Sequence, residues 1–363
     1  MNQRHESRGS FKKVPMNRNS GSRICASEAV CGILLAAVCL GAGEARGQIF
    51  QLPTANRYLF DRKHQERFFA PTPGRDWESG TFGCVRNNGW RMHEGIDIRC
   101  LQRDARGEPA DVVRATAGGV VAYVNRQPHL SNYGNYIVLQ HQIDGLEIYS
   151  LYAHLSQIRS DLRQGAAVSA GQPIGIMGRT TNTREQIGRE RAHLHFELNL
   201  LINDRFPQWF KINEPGERND HGLWNGRNLL GLDPRIVFLQ QEWLGRNFNL
   251  LQFVRNQTEL CRVFVHKADF PWVRRYTALV RRNPLAEKEG VAGYEISLNF
   301  NGLPYQLIPR APSEVRIASK FHLLYVNAAE AQKNPCRKLV QSKGGRWEFG
   351  PQGMSLLDLL VFN

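Results

Sequence analysis

The stretch Arg191–Leu198, RAHLHFEL, alternates two histidines and a glutamate with three apolar residues. In a β-strand, residues i, i+2 and i+4 point to the same side. Leu194, Phe196 and Leu198 then form a core-facing row, and His193, His195 and Glu197 project together from the opposite face. Two readings are open at this point. The polar row can hold a metal or buffer a proton, or it can be the solvated side of a half-buried strand. The remainder of the chain has to decide.

Working outward from this strand, residues 80–201 read as short strands separated by turns. DVVRATAGGVVAYVNR is strand, Gly-Gly turn, strand. YGNYIVLQHQIDGLEIYSLYAHLS is a hairpin with IDGL as its turn, and QGAAVSAGQPIGIMG holds two further short strands. The charged stretch RTTNTREQIGRERA is a loop that delivers the chain to HLHFEL. An all-β, antiparallel domain with little helix is expected. Residues 202–232 show no clear periodicity. DPRIVFLQQEWL then reads as a helix with Asp233 as N-cap and Pro234 in its first turn. Beyond it, CRVFVH, YEISLNF, PYQLIP and FHLLYVN read as strands, and SLLDLLVF as a closing strand or helix. The expected organisation is a signal segment (1–47), an extended lead segment (48–74), a β catalytic domain (75–242) and a second, β-rich accessory domain (243–363).

The first of these rests on an apolar run from Ala29 to Ala42 behind Arg18 and Arg23, followed by small residues. The run is short for a membrane span and matches the core of an export signal. An uncleaved N-terminal anchor is the alternative, and it is the only route to the membrane that the sequence offers. Met16 is an alternative start. Export to the periplasm or the cell exterior is therefore expected. The chain has 363 residues, 42% hydrophobic and 22% charged, with a formal net charge of +14. This is a soluble globular composition. The basic charge suits an anionic envelope or wall polymer, and no nucleic-acid motif accompanies it. Outside the signal segment lie Cys84, Cys100, Cys261 and Cys336. An even number in an exported chain suggests two disulfides. Four cysteines allow three pairings. Cys84–Cys100 with Cys261–Cys336, each bridge inside one domain, is the expected one.

The segment NGWRMHEGIDIRC half-matches the HExxH zinc helix, but Asp97 stands where the second histidine belongs. Gly95 and the β-branched Ile96 and Ile98 disfavour a helix. Glu94 is therefore not assigned as a general base. His93 and Asp97 can still meet at one metal across a turn. Together with His154 in LYAHLS and the HLHFE histidines, they form a set that resembles the lysostaphin/LytM-type zinc endopeptidases of peptidoglycan. The similarity runs in order through TFGCVRNNGWRMHEGIDI, ATAGGVVAYV, NYGNYIVLQH, YAHLSQI, GQPIGIMGRT and AHLHFEL, about a third of the chain.

The resemblance implies His93, Asp97 and His195 as ligands of one Zn2+ per chain, with His154 and His193 as the catalytic pair. It implies a LytM-like fold acting on peptidoglycan stem peptides or cross-links; a monomer is expected. Two imidazoles and one carboxylate leave a fourth, open position, the pattern of a catalytic zinc. TNTREQIGRERA replaces the family's short Gly-rich stretch before HLHFE and leaves cleavage specificity open. Beyond about Leu201 the similarity lapses. His141 reads as structural, Glu197 as a supporting or surface acid, Tyr133 and Asn135 as groove residues, and the Asp220–His221 pair as a solvated loop. Two rival functions remain: an envelope regulatory or binding protein that activates another hydrolase, and a zinc protease of a non-wall substrate.

Overall fold

The computed structural model describes residues 49–184, 186–316 and 318–363, so the signal or anchor segment lies outside the described residues. Twelve strands build the first part: β1 (Gly83–Arg86), β2 (Arg91–His93), β3 (Ile96–Arg99), β4 (Val112–Arg114), β5 (Gly119–Asn125), β6 (Tyr136–Ile143), β7 (Leu146–Ala153), β8 (Gln157–Ile158), β9 (Ala167–Val168), β10 (Pro173–Ile176), β11 (His193–Leu201) and β12 (Leu229–Leu232). The main sheet runs β12-β11-β7-β6-β5-β9, with β3 paired to the free half of β11. β1 pairs with β2, and β4, β10 and β8 form a small second sheet. The ladders are antiparallel, so the all-β expectation holds here.

The HLHFEL strand is the centre of this sheet. β7 lies along one edge of β11, and β3 and then β12 lie along the other. All nine residues of β11 are buried. Leu194, Phe196, Leu198 and Leu200 enter the main core. The polar face is buried as well, because a second apolar cluster that includes Tyr136, Tyr149 and Leu201, with Tyr133 and Trp224 against it, covers that side of the sheet. The hairpin between β6 and β7 forms at IDGL: Asp144 and Gly145 both take positive φ, 50° and 78°. That is the two-residue turn whose twist matches the flanking strands.

The second part contains β13 (Cys261–Val265), β14 (Gly293–Leu298), β15 (Pro304–Arg310) and β16 (Phe321–Val326), ordered β15-β14-β13-β16, and the hairpin β17 (Val340–Lys343)–β18 (Arg346–Phe349). Short helices accompany them, and SLLDLLVF closes the chain as the helix Pro351–Leu360. The Pro234–Leu244 helix starts where its cap predicts, with the Asp233 carboxylate accepting from the backbone N–H groups of Arg235 and Ile236. Residues 202–232 are not structureless: they hold the helix Phe206–Asn213 and strand β12. That helix has only two turns and no side-chain cap, and β12 (LLGL) is buried along its whole length. Neither leaves a period to read. The lead segment is irregular, with turns at Tyr58–Phe60 and Gln65–Phe68, but Phe50, Leu59, Phe68 and Phe69 are fully buried. One apolar core runs from Phe50 to Val361. Among the described residues no helix is long and apolar enough to cross a membrane.

The expected cysteine pairing is corrected. Cys84 is bonded to Cys336, across 252 residues of sequence, while Cys100 and Cys261 are free and buried. Cys100 donates instead to the Asp111 carboxylate and the Gln102 carbonyl. Cys261 lies in the central strand of the second sheet. Burial pushes both thiols up to about 12. Non-reducing peptide mapping is therefore expected to yield the Cys84–Cys336 peptide and two thiols that resist alkylation until the chain unfolds. Cys336→Ser should lower unfolding free energy by about 2–5 kcal/mol. A Cys84–Cys100 peptide would overturn this connectivity.

Candidate metal centre

Strand register brings the first two candidate ligands together. Asp97 on β3 lies directly opposite His195 on β11. His93 ends β2, whose corner with β3 crosses over β11. Gly95 makes that crossing possible: a Cβ there would lie 2.3 Å from the Phe196 carbonyl oxygen and 2.8 Å from Glu197 Cγ. The glycine of HEGID is thus a packing requirement. Gly95→Ala should push the corner off β11, destabilise the fold by about 1–3 kcal/mol and weaken metal binding. Urea unfolding and elemental analysis test this, and a variant with unchanged stability and metal content would contradict it.

His93, Asp97 and His195 are buried and offer three ligand atoms to one point. His93 Nε2 lies 3.1 Å from Asp97 Oδ1 and 3.2 Å from His195 Nδ1, and the latter lies 3.0 Å from Asp97 Oδ1. Ligand distances of about 2.0–2.2 Å in a tetrahedral zinc site require ligand atoms about 3.3 Å apart. The triangle fits such an ion. The far side of each ring is committed. His93 Nδ1–H donates to the Thr81 carbonyl at 2.6 Å. His195 Nε2 lies 2.7 Å from Glu197 Oε1. Glu197 in turn accepts from the Tyr133 hydroxyl at 2.9 Å and from Asn199 Nδ2 at 2.7 Å. Such outer partners fix the tautomer and aim the ligand lone pair. Glu197 is a buried support for His195, not a surface acid.

The electrostatics are those of a cation site. Burial disfavours charge on Asp97, yet the surrounding histidines, His193 and His93 foremost, hold its carboxyl well below the usual range. Burial also opposes charge on His195, but hydrogen bonds to Asp97 and Glu197 outweigh it and raise this imidazole. The two carboxylates favour positive charge where a metal would sit. Two cations sequence reasoning missed also reach Asp97. Oδ2 accepts from Arg86 Nη2 at 2.5 Å and from Arg191 Nη2 at 3.2 Å. No local pattern marks Arg86, since its role depends on contacts eleven residues away and across strands.

His154 and His193 stand beside the triangle, their rings 4.9 Å apart. Each commits Nδ1–H to a backbone carbonyl: His154 to Thr180 at 2.9 Å and His193 to Arg191 at 2.8 Å. Both present Nε2 as an acceptor. Burial depresses both, His193 to about 4 and His154 well below the ordinary histidine value, so both are neutral at pH 7. His154 has φ +61°, a left-handed conformation that costs energy for a non-glycine residue and clusters at functional sites.

The other candidates fall into place. Glu94 is exposed at the turn between β2 and β3 and no helix forms there, as expected of a residue outside the chemistry. His141 is structural, bridging the Gly118 carbonyl at 2.8 Å and Ser150 Oγ at 2.7 Å. Asn135 donates to the Leu155 carbonyl, and its buried Oδ1 has no partner among the described residues. His221 is corrected: it is 7% exposed, edge-on to Tyr136 with ring centroids 5.0 Å apart, and bonded to the Tyr123 hydroxyl at 3.0 Å, so contacts with strand tyrosines bury it.

Residues 91–205 match the sequence profile of Peptidase family M23. Among solved structures, the chain is similar to a zinc-containing peptidase from Vibrio cholerae, with 28% identity over 30% of this chain and 26% of that one and a TM-score of 0.22. It is also similar to the catalytic domain of the antimicrobial peptidase lysostaphin from Staphylococcus simulans, with 28% identity over 33% of this chain and 74% of that domain and a TM-score of 0.23. The chain thus spans about a quarter of the length of the first of these. No curated protein sequence matches it. The profile match bears out the resemblance carried by HEGID and HLHFEL, and it covers the strands that present every candidate ligand.

Proposed function

We propose that this chain, a peptidase whose residues 91–205 belong to Peptidase family M23, is an exported zinc-dependent endopeptidase that hydrolyses peptide bonds in peptidoglycan stem peptides or cross-links. The observation that carries the reading is the closed triangle of His93 Nε2, Asp97 Oδ1 and His195 Nδ1, with two further imidazoles beside it. One zinc per chain, held there, would polarise the scissile carbonyl and lower the pKa of a water to about 7.

The chain's own groups do the rest. Neutral His154 and His193 each offer an Nε2 lone pair, so each begins as a proton acceptor. One takes the proton of the attacking water. Once protonated, an imidazole can donate to the developing oxyanion or to the leaving amine. Tyr133, held as a phenol by burial and bonded to Glu197, keeps the His195 side of the site fixed. The net charge of +14 favours an anionic wall or envelope. Purified chain should release muropeptides from sacculi and leave casein intact. Mass spectrometry of the released fragments identifies the bond. Casein cleavage with intact sacculi would transfer the reading to a non-wall protease, and inertness toward both would transfer it to a regulatory protein.

A further inference from the structure

We infer that Arg86 is a positioning residue that holds Asp97 to one-oxygen ligation of the metal. This inference rests on the metal-centre reading above. The two oxygens of Asp97 face different surroundings. Oδ1 lies 3.1 Å from His93 Nε2 and 3.0 Å from His195 Nδ1, inside the ligand triangle. Oδ2 accepts instead from Arg86 Nη2 at 2.5 Å and Arg191 Nη2 at 3.2 Å, with His193 Nε2 at 3.4 Å; the same Arg86 Nη2 also lies 3.0 Å from His93 Nε2, so this guanidinium touches two of the candidate ligands.

Both guanidiniums are themselves anchored. Arg86 Nη1 donates to Thr72 Oγ1, and Arg191 Nε donates to the Pro71 carbonyl at 2.8 Å. The lead segment thus supplies the backing for both arginines. Rotating the carboxylate to present both oxygens to an ion would break two charge-assisted hydrogen bonds in a site where Asp97 is 2% exposed. Three one-atom ligands leave room for water and substrate, whereas a bidentate carboxylate would fill it. The guanidiniums also offset the charge of Asp97, so the ion keeps more of its Lewis acidity.

The strand that carries Arg86 is held from outside the family match. Thr81 orients His93, Cys84 is bonded to Cys336, and Arg86 reaches Asp97, all within six residues. None of these three lies in residues 91–205. The C-terminal part is thereby tied covalently to the strand that shapes the ligand set.

The test uses the full mature chain loaded with Co2+, because cobalt d–d bands weaken as coordination number rises. Arg86→Ala should bind cobalt with clearly weaker bands than wild type. It should lose the ion to a chelator faster, and its kcat should fall about 10–100-fold with little change in KM, the usual scale for removing an outer partner of a ligand. Guanidinium ion at a non-denaturing concentration should restore both the bands and part of kcat, which a merely structural role would not allow. Should Arg86→Ala not fold, Arg86→Gln decides by the same measurements. Wild-type bands and release rates in a folded Arg86 variant would overturn the inference alone. A wild-type chain that takes up neither cobalt nor zinc would overturn the metal-centre reading beneath it.

Discussion

His195→Ala is expected to leave the chain without zinc and without peptidase activity. In the proposed site His195 offers one of three ligand atoms, and its Nδ1 is within 3.2 Å of both others. A water cannot replace it in kind, because the ring also passes the charge of Glu197 to the site through a 2.7 Å contact. Removing it leaves Glu197 buried with Tyr133 and Asn199 as its hydrogen-bond partners among the described residues. An uncompensated buried carboxylate raises its pKa or costs stability. Some loss of unfolding free energy should therefore accompany the loss of metal, and circular dichroism must show that the variant is folded. Asp97→Ala should behave alike, with the added loss of the partner shared by Arg86 and Arg191. Elemental analysis after dialysis is the measurement. A folded His195→Ala chain holding one zinc would remove His195 from the ligand set.

How far the site could be read before the fold was known follows from what kind of signal each residue leaves. The alternation in HLHFEL is local, so the strand and its two faces were legible, as were the IDGL turn and the Asp233 cap. The burial of both faces of that strand was not. It depends on residues distant in sequence, Tyr133 beside His195 and Trp224 against Tyr149, closing a second apolar cluster. For the same reason His221 read as solvated. The meeting of His93 with His195 was suggested only through the family resemblance, since the two are 102 residues apart and come together through sheet pairing. The disulfide was misread because a loop of 252 residues leaves no trace in local spacing, while Cys84 and Cys100 look paired by proximity. Cys100 is satisfied instead by Asp111, a partner visible only once the strands are placed. Arg86 lies in one of the segments that carry the resemblance, but neither it nor Arg191 stood out: in a chain rich in arginine, nothing local separates a guanidinium that grips a carboxylate in the site from one in water.

His154→Ala should keep the zinc and the fold and lose about 10²–10⁴-fold in kcat, the scale of general acid–base or oxyanion assistance. Geometry separates this residue from the ligands. Its ring centroid is 6.0 Å from that of His195, its Nδ1–H is given to Thr180, and the cluster of candidate ligand atoms consists of His93, Asp97 and His195. Alanine at a position with φ +61° also keeps the strain of the left-handed region without the imidazole that gives the strain its use, so a modest stability change is expected and must be measured alongside. Glu94→Ala is the matched control. Glu94 is exposed at a turn, and its loss should leave both metal and rate near wild type. Under a zinc-helix chemistry the outcome would be reversed, with Glu94 indispensable and His154 spectator. Zinc content, circular dichroism and sacculus-release rates for the two variants distinguish these cases. Near-normal release by His154→Ala, or a metal-replete but inactive Glu94→Ala, would move the proton transfer to other residues.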